Sequence, residues 1–245
     1  MDLTPWQIAV ALAGALFVGV SKTGFGGLGL VTSAIFATLI PAKQASGFVL
    51  PLLIFGDLVA VASYRQHARW QHLWRLFPWT AVGVGIGWFT LGRVNDGQAK
   101  VLIGGLVLAL LAFHLFRRRK PQSDLVEHGA WFAPVVGVLA GFTTLVANAA
   151  GALMAVYLLA MRLPKMEFAG TGAVFFLVLN LFKVPFMVNL GLVTAQSFKF
   201  NLLLAPVVLL GTVIGRWLLP RVNQRWFENI TLGLGALAGL KLLLG

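Results

Sequence analysis

The sequence predicts an all-α integral membrane protein made of two inverted repeats, each a hairpin of short helices followed by three transmembrane helices, with roughly 8–10 membrane segments in all. Three observations predict it. First, 59% of the 245 residues are hydrophobic and 11% charged, with a mean hydropathy of +0.88. A soluble domain of this length has no interior large enough to hide that much apolar surface. Second, the chain is written twice: Gly14, Leu16, Leu30, Ala37, Pro41, Gly47, Leu58 and Val61 recur in order as Gly137, Leu139, Leu153, Ala160, Pro164, Gly170, Leu181 and Val184. A second offset carries Pro78, Gly83, Ile86, Gly87 and Leu91 onto Pro206, Gly211, Ile214, Gly215 and Leu219, and Arg93-Val94-Asn95 recurs as Arg221-Val222-Asn223. Third, the basic residues cluster between apolar stretches rather than along one face. Lipid headgroups and membrane orientation therefore explain the net charge of +12 better than nucleic acid does.

The elements follow in order. Repeat 1 (1–116) opens with a hairpin over 6–40, in helices at roughly 6–20 and 25–40, and continues with helices at 44–64, 73–92 and 97–116. A basic linker occupies 117–129. Repeat 2 (130–245) has its hairpin over 130–161, in helices at roughly 130–146 and 149–161, then helices at 166–188, 198–219 and 224–244. Pro41 and Pro164 end the two hairpins, because proline lacks an N–H and restricts the residue before it. The only charge before the first apolar segment is Asp2, so that segment reads as structure rather than as a cleaved signal peptide.

Charge sets the orientation. Arg65, Arg69 and Arg75 and the run Arg117-Arg118-Arg119-Lys120 flank two spans, so both clusters lie on one side, which the positive-inside rule makes cytoplasmic. Arg162, Lys165, Arg216, Arg221 and Arg225 join them there only if the hairpin at 130–161 enters the membrane and returns. That path puts both termini on the periplasmic face and inverts the repeats. Charge leaves open whether the hairpins cross fully or are re-entrant.

The strongest local signal is Gly19-Val20-Ser21-Lys22-Thr23-Gly24-Phe25-Gly26-Gly27-Leu28-Gly29. Its glycines admit close backbone approach. Ser21 and Thr23 add hydroxyls, and Lys22 adds a positive charge before the next helix start, where free N–H groups favour an anion. Lys22 precedes the glycines and no strand leads into them, so this is not a nucleotide loop. A hairpin with glycines for helix packing is the plainer reading. In the second repeat the corresponding segment carries Thr143, Thr144, Asn148 and Gly151 but no lysine. Those side chains suit either an oxyanion or the capping of a broken helix. Candidate substrate-binding residues are thus Ser21, Lys22, Thr23, Gly24, Gly26, Gly27, Thr143, Thr144, Asn148, Gly151 and Asn180.

Asp57 stands in an apolar segment with Asn180 at its repeat position. An ionisable group at membrane depth is costly, which makes Asp57 the candidate for proton coupling, and a structural ion pair is the alternative. Lys183 reads as snorkelling from its helix end to the interface. The four histidines have no metal-ligand company, cysteine is absent, and no nucleophile–base pair or carboxylate pair suggests an enzyme. Neither a metal nor a cofactor is called for.

The glycine-rich Gly19–Gly29 segment, the prolines Pro41 and Pro164 and the two-repeat layout around a basic linker resemble the sulfite exporter TauE/SafE family, also called the toluenesulfonate uptake permease family. The likeness covers nearly the whole chain, although Ala147, Ala149 and Ala150 stand where the first repeat has Gly24, Gly26 and Gly27. It implies a multi-pass transporter of the bacterial inner membrane that moves sulfite or organosulfonates such as sulfoacetate. On that reading a small anion binds near the midplane between the hairpin tips. An anion channel with the same lining is the alternative.

Overall fold

The computed structural model describes residues 4–23, 29–90 and 131–244, with isolated positions within 105–112. Those positions apart, the helix expected over 97–116 and the linker 117–129 lie outside the described residues, as do Gly24, Gly26 and Gly27. The helices are α1 (Pro5–Thr23), α2 (Gly29–Phe36), α3 (Ala42–Tyr64), α4 (Trp70–Thr90), α5 (Phe132–Ala147), α6 (Ala150–Ala160), α7 (Lys165–Asn189), α8 (Ala195–Leu218) and α9 (Gln224–Leu244). No strand occurs among the described residues.

Proline decides where the long helices begin. Pro41 (φ −50°, ψ 137°) and Pro164 (φ −55°, ψ 152°) are the N-cap residues of α3 and α7. Their missing N–H costs nothing at a helix start, and their extended backbone ends the preceding hairpin. Pro51, Pro78, Pro185 and Pro206 instead lie inside α3, α4, α7 and α8. Each removes one helical hydrogen bond, which membrane helices tolerate where neighbours cover the gap.

The first helix is longer than expected. α1 continues to Thr23, so Ser21, Lys22 and Thr23 form its last turn rather than a loop at the hairpin tip. The hydroxyls explain this: Ser21 Oγ donates to the Val18 carbonyl at 2.8 Å and Thr23 Oγ1 to the Gly19 carbonyl at 3.2 Å, bonds that a helix interior accommodates.

Two backbone crossings brace the bundle. At α1–α8, a Cβ on Gly19 would stand 2.0 Å from the Val208 carbonyl oxygen, and one on Gly211 2.2 Å from that of Leu16. At α4–α5, a Cβ on Gly83 would stand 2.0 Å from the Val138 carbonyl oxygen, and one on Gly141 2.1 Å from that of Thr80. Only glycine permits such approach. These contacts align Gly19 with Gly141, one residue out of step with the Gly14–Gly137 match.

Between the crossings α3 and α7 run in opposite directions. Gly47 meets Leu192 at one end, Asp57 meets Asn180 midway, and Gly170 meets Tyr64 at the other. Every residue of α6 from Ala150 to Leu159 is buried, as a helix apolar all round must be. Outward, large apolar side chains such as Leu203 (74% exposed) and Trp74 (72%) face the surroundings. Among the described residues, four helical stretches are long and apolar enough to cross a membrane: Pro5–Thr23, Gln44–His67, Lys165–Asn189 and Ala195–Arg221. At one end of the bundle Arg69 pairs with Glu167, and Lys165 Nζ donates to the carbonyls of Pro220 and Val222.

Candidate anion site

Gly56 lets the Lys22 side chain cross α3, since a Cβ there would stand 2.9 Å from Lys22 Cγ. Lys22 thereby reaches Asp57, with Nζ 2.7 Å from Oδ1. On the other side Asn180 Nδ2 donates to Asp57 Oδ2 at 2.6 Å. Lys22 Nζ also lies 4.8 Å from the centroid of the Phe176 ring, a distance at which the ring face attracts a cation. Asp57 is fully buried, and this partnership is what permits a carboxylate there. The expected isolated carboxylate is therefore a paired one, and the Lys22 charge is already answered inside the protein.

Lys183 overturns its expected place at the interface. It is fully buried, and Nζ donates to the Thr144 carbonyl (3.2 Å), Thr144 Oγ1 (3.3 Å) and Asn148 Oδ1. The cause is helical geometry: Lys183 lies one turn beyond Asn180, on the same inward face of α7. The junction of α5 and α6 folds against that face and supplies three acceptors, one for each N–H of an ammonium group.

Asn148 organises this junction. It ends α5 in the left-handed region (φ 53°), where asparagine is among the few side chains that serve in place of glycine. Its Nδ2 donates to Ser33 Oγ at 2.9 Å and to the Ser46 carbonyl at 3.0 Å, tying α5 to α2 and α3. The expectation that Thr143, Thr144 and Asn148 cap a broken helix is not met at α6, whose N-cap is Ala149 with no side-chain capping bond. The first turn of α6 thus has no side-chain cap, and its Gly151 lines the cavity.

One cavity gathers most of the predicted residues. Ser21, Lys22, Thr23, Asp57, Thr144, Asn148, Gly151 and Asn180 all line it. Thr143 does not; it is buried, and its hydroxyl donates to the Ala140 carbonyl. Gly24, Gly26 and Gly27 lie outside the described residues. The hydroxyl protons of Ser21 and Thr23 go to backbone carbonyls, that of Thr23 also reaching the Thr212 carbonyl at 2.7 Å. Among the described residues, the Lys22 ammonium and the Asn180 amide line the cavity, beside Gly151 in the first turn of α6.

From Asp57 and Asn180 the cavity follows one face of α7 through Phe176, Gly172 and Phe168, and one face of α6 through Gly151, Met154 and Leu158. It leads toward the end of the bundle that holds Arg69, Glu167 and Lys165. The space open to the centres of water-sized molecules is about 40 Å³, room for a small ion or a few waters. Among the described residues no three His, Asp or Glu side chains gather as a metal site. Sequence reasoning missed Lys183 as part of the site, together with Ser33 and Ser46. The place of Lys183 one turn beyond Asn180 on the same helix face was the signal available for it.

The sequence model of the family described as sulfite exporter TauE/SafE matches residues 11–242. No curated protein and no solved structure matches the chain. With all but the ends of the chain matched and an apolar helical bundle to carry them, the protein belongs to the sulfite exporter TauE/SafE family of membrane transporters.

Proposed function

We propose that the chain is a secondary transporter that carries a small sulfur oxyanion, sulfite or an organosulfonate, across the bacterial inner membrane. The observation that carries this reading is the one cavity lined by Lys22, Asn180 and Gly151 of the uncapped first turn of α6. Those donors replace part of an anion's hydration shell, and the positive end of α6 adds to their field.

Asp57 is the coupling residue in this scheme. Ionised, it holds Lys22; protonated, it releases Lys22 to the substrate, so a proton and an anion are taken up together. No cofactor takes part. The two halves, 1–116 and 130–245, act as inverted repeats joined by a cytoplasmic linker. The matched crossings Gly19–Val208 and Gly141–Thr80 and the opposed directions of α3 and α7 support that reading. Rocking of one half against the other then alternates access to the site.

Uptake of labelled sulfite and sulfoacetate into proteoliposomes, with and without internal substrate and a pH gradient, tests the proposal. Saturable flux stimulated by internal substrate is expected. Conductance without such exchange would make the protein a channel, and the lack of any flux in folded protein would remove sulfur anions as substrates.

A further inference from the structure

Packing does not explain the glycine at position 172 of α7. At Gly47, Gly170 and the four glycines of the helix crossings, an added Cβ would run into a backbone oxygen. At Gly172 the nearest described atom would be Leu158 Cδ1, at 3.8 Å, an ordinary contact. Gly172 is nonetheless buried, and glycine inside a helix is less stable than alanine there. The space its missing side chain leaves belongs to the cavity, which Gly172 and Leu158 both line. The lining changes character along α7. Asn180 stands with Lys22 and Asp57 at one end. Phe176, Gly172 and Phe168 follow at intervals of one helical turn, α6 contributes Met154 and Leu158, and all five are apolar.

We propose that Gly172 is a specificity-determining residue: it opens an apolar subsite for the organic group of a sulfonate whose charged head lies beside Lys22. The inference rests on the proposed anion site and deepens it, favouring organosulfonates with a short, uncharged tail. Lys22 Nζ lies 4.8 Å from the centroid of the Phe176 ring, so the charged end adjoins the apolar one. Gly172 is one turn further, about 6 Å of helix rise. A tail laid along that turn covers apolar surface that sulfite leaves to water. The space of about 40 Å³ open to the centres of water-sized molecules holds a tail of a few carbons. A charged tail would enter the same space without a polar partner.

Calorimetric titration of methane-, ethane-, propane- and butanesulfonate into the purified full-length protein tests the subsite. These anions share a head and a charge and differ only in the tail. Wild-type protein is expected to bind about three- to fourfold more tightly for each methylene added. Gly172→Val fills the space beside Leu158, so the gain with tail length should vanish. Butanesulfonate should then weaken by about tenfold or more, and methanesulfonate least. Gly172→Ala should reduce the gain in part and, with room for its methyl, melt no lower than wild type.

Wild-type affinities that do not rise with tail length would overturn the proposal. So would a folded Gly172→Val that keeps the wild-type series, or one that weakens every anion equally, which is the mark of a packing role. Should Gly172→Val fail to fold, Gly172→Ala decides, and an undiminished gain there overturns the subsite. Labelled sulfite flux through the wild-type protein in proteoliposomes separates the two readings. Flux without dependence on tail length removes only the subsite, whereas the lack of both flux and sulfonate binding removes the anion site with it.

Discussion

Asp57 of α3 and Asn180 of α7 hold the same repeat position in helices that run in opposite directions, and a 2.6 Å hydrogen bond joins them. The bond spans 123 residues of chain. One member carries the charge and the other supplies the donor that helps to hold it. Lys22 completes the group from α1.

Replacing Lys22 with Gln should weaken anion transport and also lower stability, because it strands Asp57 without its cation. Loss of one partner of a buried pair costs about 3–5 kcal/mol. Adding Asp57→Asn to Lys22→Gln should recover most of the melting temperature without recovering transport. A double-mutant cycle in thermal melting and flux separates the two effects. A Lys22→Gln protein with wild-type flux would remove Lys22 from the binding role.

Asp57→Asn keeps the shape of the side chain and an acceptor for Asn180, but cannot bind and release a proton. Flux measured from pH 5 to pH 8 (about the range in which coupling is read) should lose its pH dependence in this variant. A wild-type pH profile would take proton coupling away from Asp57.

Gly19→Ala and Gly141→Ala should each destabilise the bundle by about 1–3 kcal/mol, since both place a methyl against a backbone oxygen at the crossings. Gly85→Ala is the control: nothing lies within 4 Å of a Cβ there. Because Gly85 is within α4, alanine should be neutral or stabilising by about 0.5–1 kcal/mol. Thermal melts in one detergent compare all three. Equal melting temperatures would mean that the crossings relax freely.

Asn148 joins a backbone role to a side-chain role, and two substitutions divide them. Asn148→Gly keeps the left-handed turn and removes the Lys183 acceptor; Asn148→Ala removes the acceptor and strains the turn. The glycine variant should be more stable than the alanine variant by about 1 kcal/mol. Both should bind anion more weakly than wild type. If the glycine variant keeps wild-type affinity, the Asn148 side chain has no part in anion binding.

Much of the local structure was legible because it depends on near neighbours in sequence. Pro41 and Pro164 cap α3 and α7, because a missing N–H and a fixed φ suit a helix start. Asp57 was visible as an anomaly in an apolar run. Lys183 was misread because its repeat position in the first half is Ala60, so the duplication pointed to nothing there, and a lysine in an apolar helix is ordinarily drawn to the interface. The end of α1 was misread because hydroxyls in a glycine-rich stretch favour turns, whereas here they bond back within the helix.

The apolar surroundings, the helical class and the family follow from the sequence alone, because each is a property of composition, short-range periodicity or alignment along the chain. The tertiary structure alone decided which charges meet. Lys183 finds Thr144 across 39 residues, and Asn148 finds Ser33 across 115. Periodicity tells which face of a helix turns inward, but not which face it meets. That choice is made when the glycine crossings fix how α1 lies on α8 and α4 on α5. Packing therefore sets Lys22 against Asp57 and Lys183 against Thr144 and Asn148.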